Sequence, residues 1–205
     1  MFYSTEIDPK LKIKELSEII KTPVIIRVVA FDEESVIRFE EDMFKALESE
    51  QPVVPILIDS YGGDIYSVFA MADIIRTIKK PIATVVQAKA LSCGAILFSC
   101  GTDGYRYVGP NATIMIHDVS LESGTSSKVE DMKTDSNELQ RLTKLMYKML
   151  AKNCKKTENY FSSMVHDHGH TDWYLTPQEA IKHNLANHIG TPKLKLKITA
   201  EISFT

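Results

Sequence analysis

Three continuous apolar runs of strand length divide the first half of the chain, and a segment with helical spacing follows each of them. The runs are Pro23-Val24-Ile25-Ile26-Arg27-Val28-Val29, Ile56-Leu57-Ile58 and Pro81-Ile82-Ala83-Thr84-Val85-Val86. Continuous rather than alternating apolar residues predict strands covered on both faces. After the first run, Glu33 to Glu50 carries Val36, Phe39, Met43 and Leu47 on one stripe, an amphipathic helix. After the second, Asp64 stands as the N-cap of a helix whose face is Val68, Met71, Ala72 and Ile75. The third leads into Ala90-Leu91-Ser92-Cys93-Gly94-Ala95 and an apolar helix through Cys100. A short strand from Tyr105 to Val108 and a fourth apolar strand, Thr113-Ile114-Met115-Ile116, lie between turn residues. Strands alternating with helices predict an α/β fold on a parallel sheet. In such sheets reactive groups collect just beyond the carboxyl ends of strands, and Gly62-Gly63, Ser92 and His117 each follow such an end.

The small residues around Ser92 let a strand turn sharply into a helix. A helix beginning there leaves backbone N–H groups unpaired, with a partial positive charge suited to a developing oxyanion. Taken alone, the six residues are better read as a serine N-cap. The case for chemistry rests on partners elsewhere in the chain.

The rest of the chain is less local in its meaning. Residues 1–22 are polar, with Ile13, Leu16, Ile19 and Ile20 at helical spacing, and predict a mobile arm and a short helix. A polar loop from Ser120 to Ser127 precedes a long helix, Lys128 to Asn153, carrying Val129, Met132, Leu139, Leu142, Met146 and Met149. A helix of that length can stand out from the body and pack against another subunit. Thr157 is expected to cap a further helix containing Tyr160, Phe161, Met164 and Val165. Thr176-Pro177-Gln178-Glu179 is a capping box with proline at the first helical position. Leu194 to Phe204 alternates strictly and predicts a half-buried strand whose edge needs a partner, in its own body or a neighbour's sheet.

At 205 residues the chain can bury one substantial core, and a net charge of −3 offers no basic surface for nucleic acid. No stretch is apolar enough to span a bilayer, and Met1 to Lys14 lacks the apolar region of a signal peptide. Cys93, Cys100 and Cys154 are odd in number, and two lie in apolar segments, so they are expected as buried thiols of a reducing compartment, the cytoplasm. His166, His168 and His170 alternate beside acids, a pattern able to hold zinc or nickel. They lack metallohydrolase spacing and are read as a solvated loop, so no metal or other cofactor is expected.

Four segments together resemble the proteolytic subunits of the Clp protease, the ClpP family. They are Ile58-Asp59-Ser60-Tyr61-Gly62-Gly63, Ser92-Cys93-Gly94-Ala95, Ile114-Met115-Ile116-His117 and Asp172-Trp173-Tyr174-Leu175-Thr176. The resemblance runs from about Pro23 to Ile189. It implies a stack of ββα units forming a head (residues 23–119 and 172–191), with a helical handle (120–171) between an N-terminal arm (1–22) and a C-terminal strand (192–205). It implies Ser92 as nucleophile, His117 as general base and then acid, and Asp172 as the residue orienting His117. The N–H groups of Gly63 and Cys93 are implied as the oxyanion hole. The family assembles as heptameric rings, singly or stacked in pairs, which receive unfolded polypeptide from an AAA+ unfoldase. This chain departs from the family pattern in carrying Leu121-Glu122 where a glycine pair is common. Pro55, Leu57 and Thr77 stand where aromatics often dock the unfoldase, and only Tyr107 keeps the type.

Two other classes remain open on sequence. One is an acyl-CoA enzyme of the crotonase type, which shares the fold and an oxyanion hole without needing Ser92, His117 and Asp172 together. The other is a catalytically silent ring scaffold. Lys89, three residues before Ser92, raises a Ser-Lys dyad, for which His117 is the better base.

Overall fold

The structure, a computed structural model, describes residues 3–7, 23–49, 51–120, 128–169 and 171–198. The expected helix around Ile13 to Ile20, the loop at 121–127 with its Leu121-Glu122, His170 and the tail beyond Ile198 lie outside the described residues.

The start of the chain corrects the expectation of a mobile arm. β1 (Tyr3–Ile7) is a strand, paired in parallel with residues 194–198 from Tyr3↔Leu194 to Ile7↔Ile198. The C-terminal strand therefore pairs not with the main sheet but with the N-terminal strand of its own chain. The two form a separate two-stranded sheet.

The main sheet has seven strands and grows from the apolar runs. β2 (Ile26–Val28) covers only the part of its run that pairs with the next strand. α1 (Glu33–Glu48) starts at a capping box: Ser35 N donates to Asp32 Oδ1 at 2.7 Å, and Asp32 N to Ser35 Oγ at 2.8 Å. β3 (Val54–Ser60) is buried along almost its whole length, as a strand between two neighbours must be. α2 (Ile65–Thr77) is capped by Asp64, whose Oδ2 accepts from Ser67 N at 2.7 Å.

β4 (Ile82–Leu91) is the spine of the sheet and runs further than its apolar core implied, to the residue before Ser92. Beyond β3 it has two partners in succession. Thr84 to Val86 pair with β5 (Arg106–Val108), and Lys89 to Leu91 pair with β6 (Thr113–Ile116). Between them α3 (Cys93–Ser99) is buried at every residue, which its unbroken apolar sequence requires.

α4 (Val129–Asn153) is exposed through its first turns and buries Leu142, Met146, Tyr147, Met149 and Leu150 in its second half. α5 (Tyr160–Asp167) begins two residues later than a Thr157 cap would allow. The Thr157 carbonyl closes a single turn by accepting from Tyr160 N at 3.0 Å, and Asn159 precedes the helix without a side-chain cap. β7 (Trp173–Leu175) joins β6 antiparallel, α6 (Pro177–Lys182) forms on its expected capping box, and β8 (His188–Ile189) pairs with β5. β9 (Leu194–Ile198) is the partner of β1.

Arg106, 1% exposed, locks the end of this arrangement to the sheet. Its guanidinium donates to the carbonyls of Gly101, Asn184 and Leu185 and to the Asp103 carboxylate. A buried guanidinium is tolerable only when its donors are satisfied in this way.

Candidate active site

Ser92 follows β4 directly and does not cap the helix it precedes. Its backbone sits at φ 55° and ψ −118°, and its side chain makes no bond to the first turn of α3. The N-cap reading is thus overturned. A non-glycine residue at positive φ costs about 1–3 kcal/mol and persists only where its surroundings hold it. Here Ser92 N donates to Met115 O at 2.9 Å, and the Ser92 carbonyl accepts from Ala95 N at 2.9 Å.

His117 lies just past β6. Because β6 pairs with the last residues of β4, the ends of both strands lie side by side, and residues 25 positions apart meet: His117 Nε2 is 2.8 Å from Ser92 Oγ. Asp172 immediately precedes β7, and the Ile116↔Trp173 pair carries it alongside His117. Its Oδ1 lies 3.7 Å from His117 Nδ1, ion-pair distance but longer than a hydrogen bond, and its side chain is half exposed.

Gly62 and Gly63 take φ +110° and +149°. A Cβ on Gly62 would come within 2.8 Å of Ser92 Cβ, and one on Gly63 would overlap the Phe31 carbonyl oxygen. That oxygen accepts from Asp64 N at 2.9 Å and so pins the turn. Cys93 Sγ lies 3.2 Å from Gly63 O. Burial pushes the Cys93 thiol up to about 11, so at neutral pH it is a protonated donor fastening Gly63 to the start of α3. The first N–H of a helix has no partner within the helix, and that of Cys93 is in this position.

Gly63, Ser92, Cys93 and His117 line one cavity of about 170 Å³, walled by Leu142 and Met146 of α4 and by Val119. Asp172 is behind the histidine and not in its lining. Lys89 does not serve Ser92: its Nζ is 2.7 Å from Asp59 Oδ1 and 4.3 Å from the centre of the Tyr61 ring, bracing the turn before Gly62.

Sequence reasoning missed the groups that steady His117. Tyr147 of α4 donates to Asp118 Oδ1 at 2.6 Å, and Val119 N donates to Thr143 Oγ1 at 3.1 Å. It also missed Tyr66, whose hydroxyl donates to Glu138 Oε1 at 2.8 Å across 72 positions of sequence. No local pattern marks such pairs.

The other singled-out residues lie apart. His168 stacks on Trp173 with ring centres 5.4 Å apart, and its Nδ1 donates to Met164 O at 2.6 Å. His166 lies 3.8 Å from Asp167. Among the described residues no three metal-ligating groups converge. Pro55 and Leu57 are buried within β3, Thr77 is exposed at the end of α2, and Tyr107 stacks on His188.

The chain is similar to known proteins over most of its length. Residues 12–193 match the family described as Clp protease. A 112-residue stretch is 36% identical to the ATP-dependent Clp protease proteolytic subunit 3 of Nocardia farcinica (strain IFM 10152) and covers 54% of this chain. The chain spans about half the length of that relative, 51%.

Proposed function

The chain belongs to the Clp protease family, and on that premise we propose that it is a serine endopeptidase that hydrolyses peptide bonds of unfolded polypeptide. The observation that carries the reading is the 2.8 Å contact between His117 Nε2 and Ser92 Oγ at a strained strand-to-helix turn.

In this reading His117 takes the Ser92 hydroxyl proton as the oxygen attacks the scissile carbonyl carbon. The carbonyl oxygen, now an anion, accepts from the N–H groups of Gly63 and Cys93. Collapse of the tetrahedral intermediate expels the amine, to which His117 returns the proton, and water then releases the acyl group by the same route. Asp172, 3.7 Å from the ring, offsets the imidazolium charge as it forms. The surroundings of Gly63 support its part, since its conformation excludes a side chain and holds its peptide against Phe31.

The reading extends to assembly. A homo-heptameric ring, single or double, would enclose the site. An AAA+ unfoldase would feed it, acting in the cytoplasm without cofactor or metal. The exposed first turns of α4, with Val129 78% and Met132 60% exposed, supply apolar surface that a neighbouring subunit would cover. Among the described residues no helix is long and apolar enough to cross a membrane. Because Pro55 and Leu57 are buried and Thr77 lacks a ring, docking of a standard ClpX- or ClpA-type unfoldase is expected to be weak.

A fluorophosphonate probe tests the core of the proposal. It should label Ser92 in the wild-type chain and fail on Ser92→Ala, which should also lose peptide cleavage by about a thousandfold or more. Unchanged turnover in Ser92→Ala would overturn the assignment of Ser92 as nucleophile, and a wild-type chain that neither cleaves peptide nor takes the label would favour the acyl-CoA or scaffold alternatives.

A further inference from the structure

The cavity at Ser92 has a charge character that the catalytic groups do not explain. Its volume of about 170 Å³ suits one side chain rather than a whole small-molecule ligand. The reading of Ser92 as nucleophile, on which this inference rests, fixes which side chain that is. Gly63 and Cys93 would hold the carbonyl oxygen, so the residue contributing that carbonyl, P1, lies beside the cavity. The walls are apolar along Val119, Leu139, Leu142 and Met146. Apart from His117 and the protonated Cys93 thiol, the ionisable groups in the lining are Tyr66 and two carboxylates, Asp64 and Glu138; no lysine or arginine is among them.

Glu138 is the better placed of the two carboxylates. Asp64 Oδ2 is engaged by the backbone N–H and the hydroxyl of Ser67. Glu138 is held from two sides, by Tyr66 OH on Oε1 at 2.8 Å and by Arg141, whose Nη2 reaches Oε1 and whose Nε reaches Oε2, both at 2.7 Å. A carboxylate oxygen accepts about two hydrogen bonds, so Oε2 keeps a position for another donor. The Glu138 side chain is 38% exposed, so an incoming group can reach it. Arg141 fixes the carboxylate but does not line the cavity. The groove continuing from Asp64 and Tyr66 adds Asp32 and Glu33 and again no base.

We propose that this cavity selects a cationic P1 side chain, lysine foremost, with its aliphatic stem along Leu139, Leu142 and Met146 and its ammonium on Glu138. A lysine stem covers apolar walls while its head keeps a charged partner. An apolar residue of the same length would cover the carboxylate without replacing its water, and a site built around a polar contact rejects the analogue that lacks it.

The test uses the full chain and peptidyl phosphonates that label the nucleophile directly, identical except for lysine or norleucine at P1. Norleucine keeps the stem and lacks the ammonium. Wild-type Ser92 should be labelled faster by the lysine compound by about tenfold or more. Glu138→Gln should collapse that ratio towards one. Tyr66→Phe, which frees a second acceptor position on Oε1, should preserve or raise it, and it provides a readout if Glu138→Gln fails to fold. Equal or faster labelling by norleucine in the wild type, with a generic fluorophosphonate still labelling Ser92, would overturn this inference alone. Failure of every phosphonate to label Ser92 would overturn the nucleophile reading and this inference with it.

Discussion

Tyr147 donates a 2.6 Å hydrogen bond to the carboxylate of Asp118, the residue after His117, and so ties the long helix to the segment that carries the base. Burial first and the Asp118 bond second raise the Tyr147 hydroxyl well above its usual range, so it stays a donor at any working pH. Tyr147→Phe keeps the ring and deletes the bond. A hydrogen bond to a charged group contributes about 1.5–3 kcal/mol, and a denaturant titration should show a loss in that range. The kinetic loss should fall mainly on kcat, because the variant loosens His117 rather than the cavity wall.

Ser92 holds a positive φ that glycine adopts without cost and alanine does not. Both Ser92→Gly and Ser92→Ala remove the hydroxyl, and both should be inactive. Ser92→Gly should nonetheless be the more stable by about 1 kcal/mol, because only it relieves the turn. Thermal melts of the two variants side by side check this. Equal melting temperatures would mean that the turn stores no strain.

Gly63→Ala places a methyl group against the Phe31 carbonyl oxygen in a backbone conformation that L residues rarely adopt. The peptide must rotate or the turn must move. Either change displaces the N–H assigned to the oxyanion, a donor whose loss lowers kcat by about a hundredfold or more. Steady-state kinetics should show that loss with a smaller change in KM. Retention of wild-type kcat would remove Gly63 from the oxyanion hole.

Arg141 chiefly, and Tyr66 next, hold the Glu138 carboxyl at about 2 against an ordinary 4.5. A folded-state value below the unfolded one stabilises the fold when the group is ionised. That contribution is complete above pH 4.5 and is lost as pH falls toward 2. The site is exposed, so the effect is modest and screened by salt. Glu138→Gln should therefore flatten the acid limb of the stability profile between those limits while leaving its neutral region little changed in slope. Urea unfolding at a series of acid pH values measures it.

The β1–β9 pairing joins the two ends of the described chain in parallel register from Tyr3↔Leu194 to Ile7↔Ile198. Deleting residues 1–7 removes that hydrogen-bonding partner. Backbone amides of 194–198 should then exchange much faster, while those of β3 and β4 keep their protection. Unchanged protection at 194–198 would place their partner elsewhere.

Residue type and short-range periodicity were enough to reveal the α/β class, the apolar runs at 23–29, 56–58 and 81–86 from which β2, β3 and β4 grow, the capping of α2 and α6, and the strand-end positions of Gly62-Gly63, Ser92 and His117, whereas Asp172 and the oxyanion roles of Gly63 and Cys93 came only with the family resemblance. Each of the former is written within a few neighbouring positions: an apolar run needs cover on both faces, an aspartate or threonine ahead of a stripe caps it, and a serine among small residues marks a tight turn. The tertiary structure alone decided that Ser92 is a strained elbow and not a cap, because its backbone angles answer to Met115 and the buried α3 rather than to its neighbours. It likewise decided that residues 173–175 form a strand, since three residues carry no period of their own and are drawn into line by β6. The Tyr147–Asp118 and Tyr66–Glu138 bonds belong to the same class. Each joins positions far apart in sequence, and such contacts exist only after the long helix has packed against the sheet.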